Sequence, residues 1–182
     1  VHHRLPRAAV ATRPASVRDA ETIHAIYQQA PQYFDIISIP IPTLAEVKLE
    51  LSVAAQDPKR NVELVLVADG SAPWGVLEPE GDMRAVGYLD YKLDYPEGGD
   101  ATINLLLIAG PCQGRGYGRQ CVMDLERRLA GRARRVLASI YGQNPGATRF
   151  WSSLGYAFAI DAKPILDWYA KPLEATQLDV SA

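Results

Sequence analysis

The chain is poor in several things. Of its 182 residues only two are cysteine, Cys112 and Cys121, and three are histidine. Two cysteines so placed make neither a disulfide framework nor a C-x-x-C zinc pair, so a reducing, cytoplasmic setting is expected. His2 and His3 sit in the basic stretch Val1–Arg7, which leaves His24 as the one histidine of the body. Hydrolase and metalloenzyme readings that need a second histidine or a metal cluster lose their support, and no metal is expected. No apolar run approaches the roughly 20 residues that span a bilayer, and Val1–Arg7 lacks the apolar centre of a signal peptide. An excess of one charge is missing too: 19 Lys and Arg against 21 Asp and Glu give a net −2. Neither nucleic acid nor a membrane is therefore called for as a partner. The cluster Arg127, Arg128, Arg132, Arg134 and Arg135 reads as a solvated helix end, where cations meet the C-terminal dipole. The length suits one domain over residues 1–182 with a sizeable core, with residues 1–7 and 173–182 as loose tails.

The patterning predicts a mixed α/β domain. A strand over Ala8–Thr12 is followed by a helix with Ser16 as N-cap and Asp19 three residues on; Pro31 is expected to stop it. A loop Gln32–Pro42 leads to a second helix capped by Thr43. Val62–Ala68 and Arg84–Leu93 read as strands, joined by a mobile connection over Asp69–Asp82. Ala101–Ile108 is apolar on both faces, as a strand covered on both sides should be. A helix to about Ala130 follows, then a strand Arg134–Tyr141, a helix Pro145–Leu154, and strands Tyr156–Ile160 and Ile165–Lys171. The order is β-α-α-β-β-β-α-β-α-β-β, a central mixed sheet with helices on both faces.

Between the buried strand and its helix lies Gln113-Gly114-Arg115-Gly116-Tyr117-Gly118. Three glycines there cost backbone entropy and suit a backbone that approaches an anion at a helix N-terminus. A dinucleotide fingerprint would need G-x-G-x-x-G and an acid about 20 residues on, and a Walker loop would need Gly-Lys followed by Ser or Thr. Neither is present. Downstream come Asn144-Pro145-Gly146-Ala147-Thr148-Arg149-Phe150-Trp151 and Leu154-Gly155-Tyr156.

These two segments, in this order, resemble the GCN5-related N-acetyltransferase (GNAT) superfamily. The first is similar to its Q/R-x-x-G-x-G/A pyrophosphate loop, the second to its Asn-x-x-Ala-x-x-aromatic-aromatic helix. The resemblance implies acetyl-CoA as co-substrate and an acyl-CoA-dependent N-acyltransferase with direct transfer to an amine of a small molecule or protein. It places the pyrophosphate at Gln113, Gly114, Arg115, Gly116, Tyr117, Gly118 and Arg119. Leu106, Leu107 and Ile108 would run along the pantetheine arm, with the Leu107 amide polarising the thioester carbonyl. Asn144 would bond the pantetheine, or cap the helix before Pro145, and Ala147, Phe150 and Trp151 would line the arm. The family's tyrosine acid falls at Trp151, so the phenol is absent; water, Tyr141 or Tyr156 is left to protonate the thiolate. Asp90 and Asp35 are candidate bases, and Cys112 reads as a packing residue. Tyr33, Phe34 and Asp35 would form an acceptor wall suited to an amine with an apolar body. A homodimer is compatible with this reading. The missing phenol also leaves a second one, a catalytically silent acyl-CoA-binding sensor or interaction module.

Overall fold

The computed structural model describes residues 9–163 and 166–174, with the side chains of 160–168 left aside. Val1–Arg7, Ala8 and Ile165, with the end of the chain from Ala175, lie outside the described residues.

Strand β1 (Val10–Pro14) pairs antiparallel with β2 (Arg60–Ala68), and between them come three helices: α1 (Ala20–Gln28), α2 (Pro31–Ile37) and α3 (Leu44–Gln56). The expected capping is present. Ser16 and Asp19 form a capping box ahead of α1, and Thr43 and Glu46 form another on α3, with the Glu46 amide donating to Thr43 Oγ1 at 3.2 Å. Pro31 does not end a helix but starts one, because its fixed φ and missing N–H suit the first helical position. Part of the expected loop is thus α2.

The short β3 (Val76–Leu77) and the long β4 (Met83–Leu93) follow. The stretch expected to be a mobile connection is held in place: β3 pairs with β4, Arg84 Nη1 donates to the Gly75 carbonyl at 2.8 Å, and Trp74 packs against the core. Then come β5 (Asp100–Ile108), α4 (Tyr117–Leu129), β6 (Arg135–Tyr141), α5 (Pro145–Ser153), β7 (Ala157–Lys163) and β8 (Leu166–Pro172). The sheet order is β1-β2-β4-β5-β6-β8-β7. Among the described strands only the β5–β6 pair is parallel, bridged by α4.

Apolar side chains from the two faces of this sheet build two cores. Val65, Leu89, Ile103 and Val136 pack with Val122 and Leu125 of α4 and Trp151 of α5. Leu64, Tyr88 and Leu107 pack with Ile23 and Ile26 of α1, Phe34 of α2 and Leu51 of α3. The arginine cluster is not a free cationic face. Arg128 grips the buried Glu63 through two nitrogens, at 2.8 and 3.1 Å, and Arg135 grips the buried Asp100 at 2.8 and 3.0 Å. Carboxylates that the sheet buries need partners, and these arginines supply them.

Candidate active site

The pairing of β5 with β6 runs from Asp100↔Arg135 to Ile103↔Ala138 and goes no further. Yet β5 continues beside β4 to Ile108, and β6 continues beside β8 to Tyr141. The two strands have parted, and a cleft of about 1110 Å³ extends from the gap, lined by β5, the glycine loop, α5 and α2.

The ladder decides which backbone groups face this gap. Asn104 is an extra residue on β5, since Leu105 opposes Asp90 while Ile103 opposes Tyr91. Such a bulge changes which residues turn their N–H and C=O groups to each side. The Ala109 amide donates to the Val86 carbonyl at 2.9 Å, so Ala109 belongs to a hydrogen-bonded pair with β4. By antiparallel alternation Leu107 does as well, opposite Tyr88, while Leu106 and Ile108 turn their amides and carbonyls away from β4 and into the cleft. By the same alternation Leu107, expected to turn its amide to the cleft, directs it towards β4, and its side chain is buried.

At the cleft mouth, Gln113 Nε2 donates to the Ile108 carbonyl at 2.8 Å and fastens the loop to the strand end. Gly114 and Gly116 have φ of 75° and 83°, a region costly for most side chains. Gly116 is the N-cap of α4, whose first intrahelical bond is Gln120 N to Gly116 O at 3.0 Å. The amides of Tyr117, Gly118 and Arg119 precede it and need outside partners. A Cβ on Gly118 would sit 3.5 Å from the Phe150 ring and 3.7 Å from Ile108. The Tyr117 side chain itself is core, its hydroxyl donating to the Ser71 carbonyl at 2.6 Å. Arg119 lines the cleft and Arg115 is exposed outside its lining.

Asn144 caps α5, its Oδ1 accepting from the Ala147 amide at 3.0 Å, and it also lines the cleft with Ala147, Phe150 and Trp151. Trp151 is 5% exposed and stacks edge-on against Phe150 and Tyr156, each with ring centroids 4.9 Å apart. Tyr156 is no substitute acid for the cleft. It is buried outside the lining, its hydroxyl faces Glu126 at 3.5 Å, and burial pushes its pKa up. Tyr141 ends β6 with 37% exposure; burial raises its pKa, helped by Tyr95 and Asp90. Burial also raises the Cys112 thiol, which donates to the Trp74 carbonyl at 3.2 Å.

Asp90 does not line the cleft. It is 4% exposed, with Arg60 on both oxygens at 3.2 and 2.6 Å and Asn104 Nδ2 at 3.4 Å. Its oxygens are held by Arg60 and Asn104 and do not face the cleft. Of the expected acceptor wall only Tyr33 faces the cleft. Helical periodicity in α2 turns Phe34 into the core, 5.3 Å from the Tyr27 ring, and leaves Asp35 exposed outside the lining. Two glycines carry a role that sequence reasoning missed. The Gly110 amide donates to the Gln29 carbonyl at 2.7 Å, and a Cβ on Gly142 would lie 3.0 Å from the Ile36 carbonyl. They seat the α1–α2 segment on both lips of the gap. Their positions, each just past the end of a strand, were the available signal. Among the described residues no group of three or more His, Cys, Asp or Glu could hold a metal ion, and no helix is long and apolar enough to cross a membrane.

A mixed sheet that splays after four residue pairs, with a glycine loop feeding a helix at the gap, is the fold of the GNAT acetyltransferases. The Acetyltransferase (GNAT) family model matches residues 39–156, and the chain belongs to this family. An acetyltransferase from Thermus thermophilus superposes with a TM-score of 0.80 at 35% identity, covering 93% of this chain and 100% of that one. Spermidine N-acetyltransferase from Vibrio cholerae, in complex with CoA and spermine, is similar in fold at 12% identity, with a TM-score of 0.67 over 90% of this chain and 95% of that one. RimL, a ribosomal L7/L12 alpha-N-protein acetyltransferase in complex with CoA, is similar in fold at 14% identity, with a TM-score of 0.67 over 92% of this chain and 96% of that one. The comparison with curated proteins gave no match.

Proposed function

We propose that the protein is an acyl-CoA-dependent N-acyltransferase that moves acetyl from acetyl-CoA directly to an amine of a small molecule or protein. The observation that carries this reading is the unpaired half of β5, whose Leu106 and Ile108 backbone groups face a cleft with the N-terminus of α4 at its mouth. The amides at Gly114 to Arg119 suit a pyrophosphate. The pantetheine arm then fills the gap beside Leu106 and Ile108 as an added strand, with Asn144 alongside. The Leu106 amide, nearest the bulge, is the donor suited to the thioester oxygen, where charge develops in the transition state. The amine nitrogen bonds to the carbonyl carbon as the carbon–sulfur bond breaks; the amine loses a proton and the thiolate gains one. Solvent and the Tyr141 hydroxyl are the groups assigned to these transfers, with Asp90 holding Arg60 and Asn104 in place at the bulge. The two buried thiols fit a reducing cytoplasm.

The test is thiol release from acetyl-CoA with a panel of amines. Acetyl-CoA-dependent acetylation of any amine supports the reading. CoA at a hundredfold excess over its dissociation constant should stabilise the fold by about 2.7 kcal/mol, roughly 5–10 °C in melting temperature, with NAD and ATP doing much less. A larger shift with NAD would overturn the donor. Trp151 at the position of the family's phenol favours a second reading, a silent acyl-CoA sensor, which CoA binding without thiol release would support.

A further inference from the structure

We infer that Tyr117 and Cys112 are positioning residues for the acyl-CoA pyrophosphate. Their side chains tie both ends of the glycine loop to one short strap, Ser71–Trp74, and so hold the loop in its binding arrangement before a ligand arrives. The inference rests on the acyl-CoA reading above and names the side chains through which its anion site works.

The loop has little to hold itself with. Gln113, Gly114 and Arg115 are exposed, and a Cβ on Gly114 would meet nothing within 4 Å. Gly114 and Gly116 both have positive φ, and glycine has more conformational freedom to lose than any other residue. Among the described residues the Gly114, Arg115 and Gly116 amides make no hydrogen bond. Such a loop, left free, would have to be ordered as the ligand binds, and that cost weakens binding; a loop fixed beforehand escapes it.

The fixing points bracket the loop. Just before it, Cys112 Sγ donates to the Trp74 carbonyl at 3.2 Å, and just after Gly116 the Tyr117 hydroxyl donates to the Ser71 carbonyl at 2.6 Å. Both side chains are buried. The tyrosine bond is the stronger of the two, since a thiol is a weak donor. Tyr117 is also the first residue of α4, so anchoring its side chain fixes the helix start whose amides face the cleft mouth. The strap itself is firm. The Ser71 amide donates to the Ala68 carbonyl at 3.0 Å, at the end of β2. Trp74 packs against both cores. The next carbonyl, that of Gly75, accepts from Arg84 Nη1 at 2.8 Å, and β3 follows directly, paired with β4. The sheet thus holds the strap at each end, and the strap holds the loop.

The experiment compares the wild type with Tyr117→Phe, Cys112→Ala and Tyr91→Phe. Order parameters of the Gly114, Gly116 and Gly118 amides are measured by NMR relaxation without ligand, and CoA affinity is measured by calorimetry. Tyr91→Phe is the control, since it removes another buried tyrosine hydroxyl of the same core, the one that donates to Glu63 Oε2 at 3.1 Å. In the wild type the three amides should be rigid, with order parameters of about 0.85. Tyr117→Phe should lower those of Gly114 and Gly116 and weaken CoA binding about five- to tenfold. Cys112→Ala should weaken it about two- to threefold, in keeping with the weaker donor. Tyr91→Phe should melt earlier, with CoA affinity and order parameters unchanged. Unchanged affinity in both loop variants, weaker binding with unchanged order parameters, or an equal loss of affinity in Tyr91→Phe overturns the positioning role and leaves the acyl-CoA reading standing. A wild type that binds no CoA overturns both.

Discussion

Asp100–Ile103 and Asn104–Ile108 are consecutive parts of β5, made of similar apolar residues, and they differ in almost everything else. The first part pairs with a strand on each side. Its opening carboxylate, Asp100, has no exposed side-chain surface and clasps Arg135 and Arg134. The second part pairs on one side only, begins with an unmatched residue at Asn104, and turns the backbone of Leu106 and Ile108 to a cleft. One part is closed by its own chain, and the other is the part proposed to be closed by a ligand. Unpaired strand groups are a liability in most sheets; here they lie inside the fold, where α2 and the glycine loop bound what can reach them.

The largest effect should come from breaking the closed part. Asp100→Asn leaves Arg135 facing an uncharged amide in a buried position. Breaking such a pair should cost about 2–3 kcal/mol, or roughly 4–12 °C in melting temperature. The pH dependence has a definite sign. Arg135, then Arg134, holds the Asp100 carboxyl below the usual carboxylate range, against the opposing push of burial. A lowered folded-state value gives stability that is fully present above the unfolded pKa of about 4 and is lost as pH falls through the folded value. Thermal melts from pH 6 downward should therefore fall more steeply for the wild type than for Asp100→Asn. Parallel curves would show that the clasp contributes nothing through its charge.

Next in size is an attack on the open part at its anion end. Gly116→Asp puts a carboxylate at the N-cap of α4, beside the amides assigned to the pyrophosphate. Asp tolerates the left-handed region better than most residues, so the fold should survive with a loss of about 1 kcal/mol. CoA affinity should fall about a hundredfold, the worth of one or two charge-assisted hydrogen bonds. Calorimetry on a folded variant checks this, and unchanged affinity would return the loop to a simple turn into a helix.

The open half of β5 also shows where sequence reading stops. The glycine loop, the Asn144 helix start and the caps at Ser16 and Thr43 were legible because each is a local pattern with a local cause. The end of the β5–β6 pairing was not, because Asn104 to Ile108 looks as apolar as any covered strand. The choice of Leu106 over Leu107 depends on a bulge, and a bulge appears only in the register of two strands. The start of α2 turned on reading Pro31 as a stop where it is a first residue. Helical periodicity in α2 then buries Phe34 and exposes Asp35, so that of the three residues expected to form an acceptor wall Tyr33 alone lines the cleft. Asp90 was read as a candidate base because Arg60, its partner, is 30 residues away in sequence and leaves no local sign.

The smallest effect sharpens the contrast, because it should move stability and binding in opposite directions. Gly118 lies in the first turn of α4 with helical backbone, so its glycine is not required by conformation. Alanine is the better helix former by up to about 1 kcal/mol. Its Cβ would meet Phe150 at 3.5 and 3.6 Å and Ile108 at 3.7 Å, ordinary contact distances that need no rearrangement. On folding grounds alone Gly118→Ala should raise the melting temperature by roughly 2–4 °C. The same methyl group would stand between the Phe150 ring and the end of β5, in the cleft lining beside amides that a pyrophosphate must approach closely. CoA affinity should then fall a fewfold to tenfold. Melting curves without ligand and calorimetry with CoA read the two effects separately. A variant both more stable and equally tight would show that the open half of β5 ends before the helix, with only Gly114 and Gly116 belonging to the cradle. A less stable one would show that Phe150 and Ile108 pack more tightly around Gly118 than these distances allow.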